Sequence, residues 1–218
     1  MKSFLTLLVT FFIGFSLFGQ SDFNLGFLPK VVVGKKLSDQ TKWVNSIESR
    51  TIVYDEDYQF SHSLVDVSSI LSFKINTNQS VNFGYIIRFE DSEIIHRTFQ
   101  HYNIVSSFSS LKLGHRFAFE QFYQTQKQTT FRTRYRVSLE KPLNGERVDV
   151  SEFYIKIGNE YLYDFDEDDL EIRFTPYLGY QATKKDKVEF GLDYRLSTFI
   201  HNQTENRLWI RATWYISL

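Results

Sequence analysis

The last twelve residues of the chain, 207–218, sort into two files that alternate without a break. One file is Leu208, Ile210, Ala212, Trp214, Ile216 and Leu218; the other is Arg207, Trp209, Arg211, Thr213, Tyr215 and Ser217. Successive side chains of a β-strand point to opposite faces, so a strict period of two specifies a strand with one apolar and one polar face. A helix would mix the two files on every side.

The same pattern recurs upstream. Val188, Phe190, Leu192, Tyr194 and Leu196 oppose Glu189, Gly191, Asp193, Arg195 and Ser197; Ile172, Phe174, Leu178 and Tyr180 oppose Arg173, Thr175, Tyr177 and Gly179. Phe153, Ile155, Ile157, Tyr161 and Tyr163 alternate with Glu152, Tyr154, Lys156, Gly158 and Glu160, and Phe131, Tyr135, Val137 and Leu139 with Arg132, Arg134, Arg136 and Glu140. Leu111, Leu113, Phe117, Phe119 and Tyr123 face away from Lys112, Gly114, Arg116 and Glu120. Val81, Phe83, Tyr85, Ile87 and Phe89 do the same against Asn82, Gly84, Arg88 and Glu90. Residues 67–75 form a hairpin with that strand through the turn 76–79. Residues 43–54 alternate more weakly, 55–66 read as a polar loop, and 94–105 are ambiguous in phase. Residues 27–36 form a short candidate strand in which Pro29 argues for an edge or terminal position. Helical periodicity is missing, so the expectation is an all-β, antiparallel up-and-down transmembrane β-barrel of about ten to twelve strands.

Alternation alone fits both an apolar-cored soluble barrel and a membrane barrel with an apolar outside. Three features favour the second. Gly84, Gly114, Gly158, Gly179 and Gly191 all fall in polar files, where a crowded, charge-filled lumen needs room. Counting back from a periplasmic C-terminus, the external loops are 55–66, 91–93, 124–129, 164–169 and 202–205. The internal turns are 76–79, 106–109, 143–150 and 183–186, mostly the shorter set. The 22 Phe and 13 Tyr include several near strand ends, where such barrels carry aromatic girdles.

The first residues supply a compartment. Met1-Lys2 and an apolar run over 4–17, with Gly19 before Gln20, read as a secretory signal peptide at residues 1–19. Residues 20–42 then form an N-terminal segment, an extra strand or a plug, and 43–218 the barrel. The absence of cysteine excludes disulfides, thiol catalysis and cysteine metal sites. A formal net charge of −1 gives no electrostatic case for nucleic acid.

Four stretches carry a family likeness: His115-Arg-Phe-Ala-Phe-Glu-Gln-Phe, Phe131-Arg-Thr-Arg-Tyr-Arg-Val-Ser-Leu, Tyr161-Leu-Tyr-Asp-Phe and Val188-Glu-Phe-Gly-Leu-Asp-Tyr-Arg-Leu. They resemble a family of domain-of-unknown-function outer-membrane barrels abundant in Bacteroidota. The last strand likewise resembles the closing strand and assembly signal of bacterial outer-membrane barrels. The resemblance implies location in the bacterial outer membrane, contact with outer-membrane lipid, and use of the barrel-assembly machinery. It brings no functional residues.

The polar files predict a lumen charge network of Arg88, Glu90, Arg116, Glu120, Arg132, Arg134, Arg136, Glu140, Glu152, Lys156, Glu160, Arg173, Glu189, Asp193, Arg195, Arg207 and Arg211. The arginines could line an anion-selective pore, but the carboxylates on the same faces favour pairing into a filling network. The acidic stretch 164–169 lacks the glycine and terminal glutamate of a calcium loop and reads as a solvated tip. No cofactor, metal or catalytic residue is assigned. The functional expectation is a structural barrel or a narrow porin-like channel. The alternatives are a lipid-modifying hydrolase, for which His96 and Thr98 are the nearest pair, and a soluble periplasmic barrel that binds an apolar ligand.

Overall fold

The computed structural model describes residues 23–91, 93–198, 200 and 204–218. The expected signal peptide, residues 1–19, lies outside them. Eleven strands make up the described chain: β1 (Phe23–Lys36), β2 (Thr41–Asp55), β3 (Asp57–Lys74), β4 (Gln79–Glu90), β5 (Glu93–Phe108), β6 (Leu111–Tyr123), β7 (Thr130–Pro142), β8 (Glu152–Asp164), β9 (Asp169–Gln181), β10 (Asp186–Ser197) and β11 (Glu205–Ser217). Each pairs antiparallel with its neighbour in sequence, and the sheet closes on itself.

Closure departs from the expected arrangement. Residues 27–36 are the extra strand and not a plug: within β1 they pair with β2 on one side and β11 on the other, so the barrel begins at Phe23 instead of residue 43. The partner of the final strand is β1. With eleven strands the closing pair must run parallel, and it does, from Phe23↔Asn206 to Gly34↔Ser217. Proline is tolerated in β1 because the β1–β2 ladder passes from Phe27↔Thr51 to Lys30↔Glu48 without using Leu28 or Pro29.

Two rims follow from the strand directions. One carries Leu218, the turn between β1 and β2, and the connection between Pro142 and Glu152; we call it the C-terminal rim. The distal rim carries the turn at Glu56 and the loops ahead of β5, β7, β9 and β11. Residues 55–66 are not a loop. β2 and β3 continue to the pair Asp55↔Asp57, turned at Glu56 with φ 59°. The β3–β4 ladder begins at Leu64↔Glu90, so residues 57–63 project past the strand beside them. Tyr58 and Phe60 are 86% and 87% exposed there.

The wall is inverted relative to a soluble protein. Phe190 is 57% exposed, whereas its neighbour Glu189 is 1% exposed. The outward apolar file continues through Val67, Leu71, Phe83, Phe117, Phe131, Ile155, Leu178 and Trp214. Inward-facing glycines make room for rings more than for charges. A Cβ on Gly84 would lie 2.0 Å from the Phe99 ring, and one on Gly179 2.1 Å from that of Tyr154. Both rings belong to the residue directly opposite in register, and Gly26–Trp209 and Gly191–Tyr177 repeat the arrangement. A ring laid across a facing glycine fills the lumen without pushing the strands apart.

Candidate functional site

A cavity of about 570 Å³ runs inside the barrel, and its walls hold fourteen basic and seven acidic residues, an excess of seven positive charges. The chain as a whole carries −1. Folding therefore segregates charge, placing positive groups inside and most carboxylates at the rims.

Each of the seven lumen carboxylates has a cationic partner. From Arg195 the contacts run to Asp193 (2.9 Å), Arg211 (3.1 Å), Glu48 (3.5 Å), Arg50 (3.0 Å) and Asp66 (3.7 Å). They continue to Arg97 (4.0 Å), Glu120 (3.8 Å), Arg134 (2.9 Å), Glu160 (3.2 Å) and Arg173 (3.6 Å). Arg173 sits opposite Arg195 in register, so the chain of ion pairs forms a belt around the lumen that is interrupted at this one like-charged pair. Branches add Lys30 to Glu48, Arg88 to Asp66, Arg132 to Glu120, and Glu171 to Arg173. Nearer the C-terminal rim, Glu189 gathers Lys156 (3.1 Å), Lys187 (3.7 Å) and the hydroxyls of Tyr154 and Tyr215, which donate at 2.8 and 3.0 Å. A charge removed from water is tolerated when several partners satisfy it, and these carboxylates have them.

Three lumen arginines stand outside the belt; Arg207 pairs with Glu205, and the other two have no carboxylate partner among the described residues. Arg116 and Arg136 face each other in register at mid-strand on β6 and β7. Among the described residues neither has a carboxylate oxygen within 4.0 Å. The Arg116 Nε donates to Asn103 Oδ1 at 2.8 Å. Arg136 lies against Gly158, where a Cβ would come within 3.4 Å of its Nη2. Its register partner Glu160 turns instead to Arg134 and Arg173.

Of the residues expected in the lumen, Arg88, Arg116, Glu120, Arg132, Arg134, Arg136, Lys156, Glu160, Arg173, Glu189, Asp193, Arg195, Arg207 and Arg211 line the cavity. Three glutamates do not. Glu90 lies toward the distal rim, 3.7 Å from Arg88; Glu140 pairs with Lys112 at 3.0 Å; Glu152 accepts hydrogen bonds from Asn144 and the Asp149 backbone. Lys30, Glu48, Arg50, Asp66, Arg97, Glu171 and Lys187 line it as well, without having been expected. Alternation would have found Lys30 and Asp66 had residues 27–36 and 55–66 been read as full wall strands.

On β5 the ambiguous phase resolves with Arg97, Phe99, His101 and Asn103 inward and His96, Thr98 and Gln100 outward. The outward polar groups bond one another: Tyr85 Oη to His96 Nδ1 at 2.5 Å, Thr98 Oγ1 donating to Gln121 Oε1 at 2.6 Å, and Gln121 Nε2 donating to Gln100 Oε1 at 3.0 Å. The Thr98 hydroxyl is thus bonded to Gln121 and not to His96, and no nucleophile–base pair forms there. In the acidic tip, Asp164 Oδ1 accepts from the Asp166 and Glu167 backbone and Asp166 Oδ2 from that of Phe131, so these carboxylates order the turn. No group of three or more His, Asp or Glu among the described residues could hold a metal ion.

No curated protein matches the chain. Among solved structures, an anion-selective porin from Comamonas acidovorans is similar at 10% identity and a TM-score of 0.42, covering 79% of this chain. The chain spans about half of that porin, 55% of its length. The sequence profile of one family, described as proteins of unknown function (DUF2490), matches residues 25–199, and the chain belongs to that family.

Proposed function

We propose that this protein resides in the bacterial outer membrane and that its lumen is a narrow passage for small anions. The observation that carries the reading is the surplus of seven positive charges on the cavity wall. Rings of one charge in a confined, low-dielectric lumen admit ions of the opposite sign and repel their own. The outward apolar file supports the membrane setting, because it would face hydrocarbon on one side while every strand edge is paired in the closed sheet.

The dimensions fit small ions. Lining residues on β10 run from Lys187 to Arg195, eight residues apart. At about 3.3 Å per residue and a tilt of about 45°, that is about 20 Å of depth. A volume of 570 Å³ over that depth gives a mean cross-section of about 30 Å², enough for small anions in single file. The belt of ion pairs holds this width, and β11 presents the outward file expected to engage the assembly machinery.

The test is electrical. In planar bilayers with a salt gradient, purified protein should show small, anion-selective conductance; failure to open at any voltage, or cation selectivity, overturns the passage. Detergent-only extraction with heat-modifiable migration checks the membrane setting, and release by salt or freeze–thaw overturns it.

A further inference from the structure

Arg116 and Arg136 pose a problem that the belt does not solve. Like charges placed directly across a strand pair repel, and guanidiniums withdrawn from bulk water need acceptors. Each of the seven lumen carboxylates is already engaged by another cation, and no described carboxylate reaches this pair. Asn103 holds the Arg116 Nε, leaving both its Nη groups without a protein acceptor among the described residues. The Arg136 side chain lies beside Gly158. Around the pair, Ala118 opens space between His101 and Arg134, its register partners on either side, and the buried His101 Nδ1 has no hydrogen-bond partner.

We propose that Arg116 and Arg136 form a binding site for a small oxyanion of the phosphate or sulfate class, midway along the lumen. Two guanidinium forks offer up to ten N–H donors in fixed planes, of which Asn103 takes one. A tetrahedral oxyanion accepts from both forks at once, whereas chloride offers one spherical acceptor and gains little from their geometry. The unpartnered His101 Nδ1 is placed to act as a further donor. The ligand supplies the missing counter-charge, and the neighbouring surplus from Arg97, Arg132 and Arg134 draws it in from the distal rim. The site deepens the anion-passage reading, on which it rests for access, but its occupancy can be measured without conduction.

The experiment uses the full mature barrel in detergent, titrated calorimetrically with inorganic phosphate and, at equal ionic strength, with chloride. The wild type should bind one phosphate and show a higher heat-modification temperature in phosphate than in chloride. The Arg116→Gln/Arg136→Gln variant should lose about tenfold or more in phosphate affinity. Arg136→Lys keeps the charge and guards against a folding failure of the double variant; it should lose the preference for phosphate over chloride while retaining its response to chloride. Lys112→Gln, at the C-terminal rim, should leave phosphate binding unchanged. Phosphate affinity within twofold of wild type in the double variant, an unchanged phosphate preference in Arg136→Lys, or no wild-type response beyond that to chloride would overturn the site. The conductance assay on the same preparations separates the two claims: anion-selective current without phosphate binding removes the site alone, and phosphate binding without current removes the passage alone.

Discussion

Two stretches of the lumen wall treat the same residue type in opposite ways. On the side of β10, β11 and β1 to β4, Asp193, Glu48 and Asp66 stand among Arg195, Arg211, Lys30, Arg50 and Arg88, and each cation touches a carboxylate. On β6 and β7, Arg116, Arg132, Arg134 and Arg136 share the wall with Glu120 as the one lining carboxylate. The first arrangement holds a charged wall together. The second leaves positive charge over, and surplus charge is what an ion in the lumen can feel. Arginine content therefore says little about function here; the local ratio of arginine to carboxylate carries the information.

Substitutions can break that comparison from either side. The largest effect is expected for Glu120→Gln, which leaves Arg132, Arg134 and Arg97 without a carboxylate they now hold at 2.7, 2.9 and 3.8 Å. Breaking a buried charge cluster from one side costs about 3–5 kcal/mol, so heat-modifiability and urea midpoints should fall sharply. Asp193→Asn, on the fully paired wall, releases Arg195 and Arg211 and should cost about 3 kcal/mol by the same measurement. Arg136→Gln should behave in the opposite sense. It relieves a like-charge pair, so unfolding should shift by no more than about 0.5 kcal/mol, while anion selectivity in a salt gradient drops. A destabilisation as large as that of Asp193→Asn would erase the distinction between the walls. The smallest effect belongs to Lys112→Ala, whose exposed pair with Glu140 should contribute under about 1 kcal/mol to the urea midpoint.

Much of the wall was legible from alternation. The faces of β6 to β11 follow from residues such as Phe190 and Glu189, because the medium on each side differs so sharply that each file is uniform. Legibility failed wherever that contrast disappeared. Residues 57–63 project past the β4 end, so both faces of the hairpin meet the same surroundings and no period of two is imposed. β5 was unreadable because its outward side carries His96, Thr98 and Gln100, whose polarity is absorbed by Tyr85 and Gln121 on neighbouring strands. β1 was misplaced by its proline, which does not exclude a wall strand when the β1–β2 ladder passes over Pro29 and the closing pair is parallel. The belt itself was out of reach, since its contacts join residues as distant as Glu48 and Arg211, 163 positions apart. The surplus at Arg116 and Arg136 was visible only as a row of arginines until the positions of every carboxylate were known.

The parallel seam between β1 and β11 has a consequence for sidedness. An odd number of alternating strands carries the chain through the wall once more in one direction than in the other, so Phe23 and Leu218 lie at opposite rims. A peptide label placed just ahead of Phe23 and another just after Leu218 would thus be exposed on different sides of the membrane in which the barrel sits. Whole-cell labelling should reach one and miss the other, reporting strand parity without a structure.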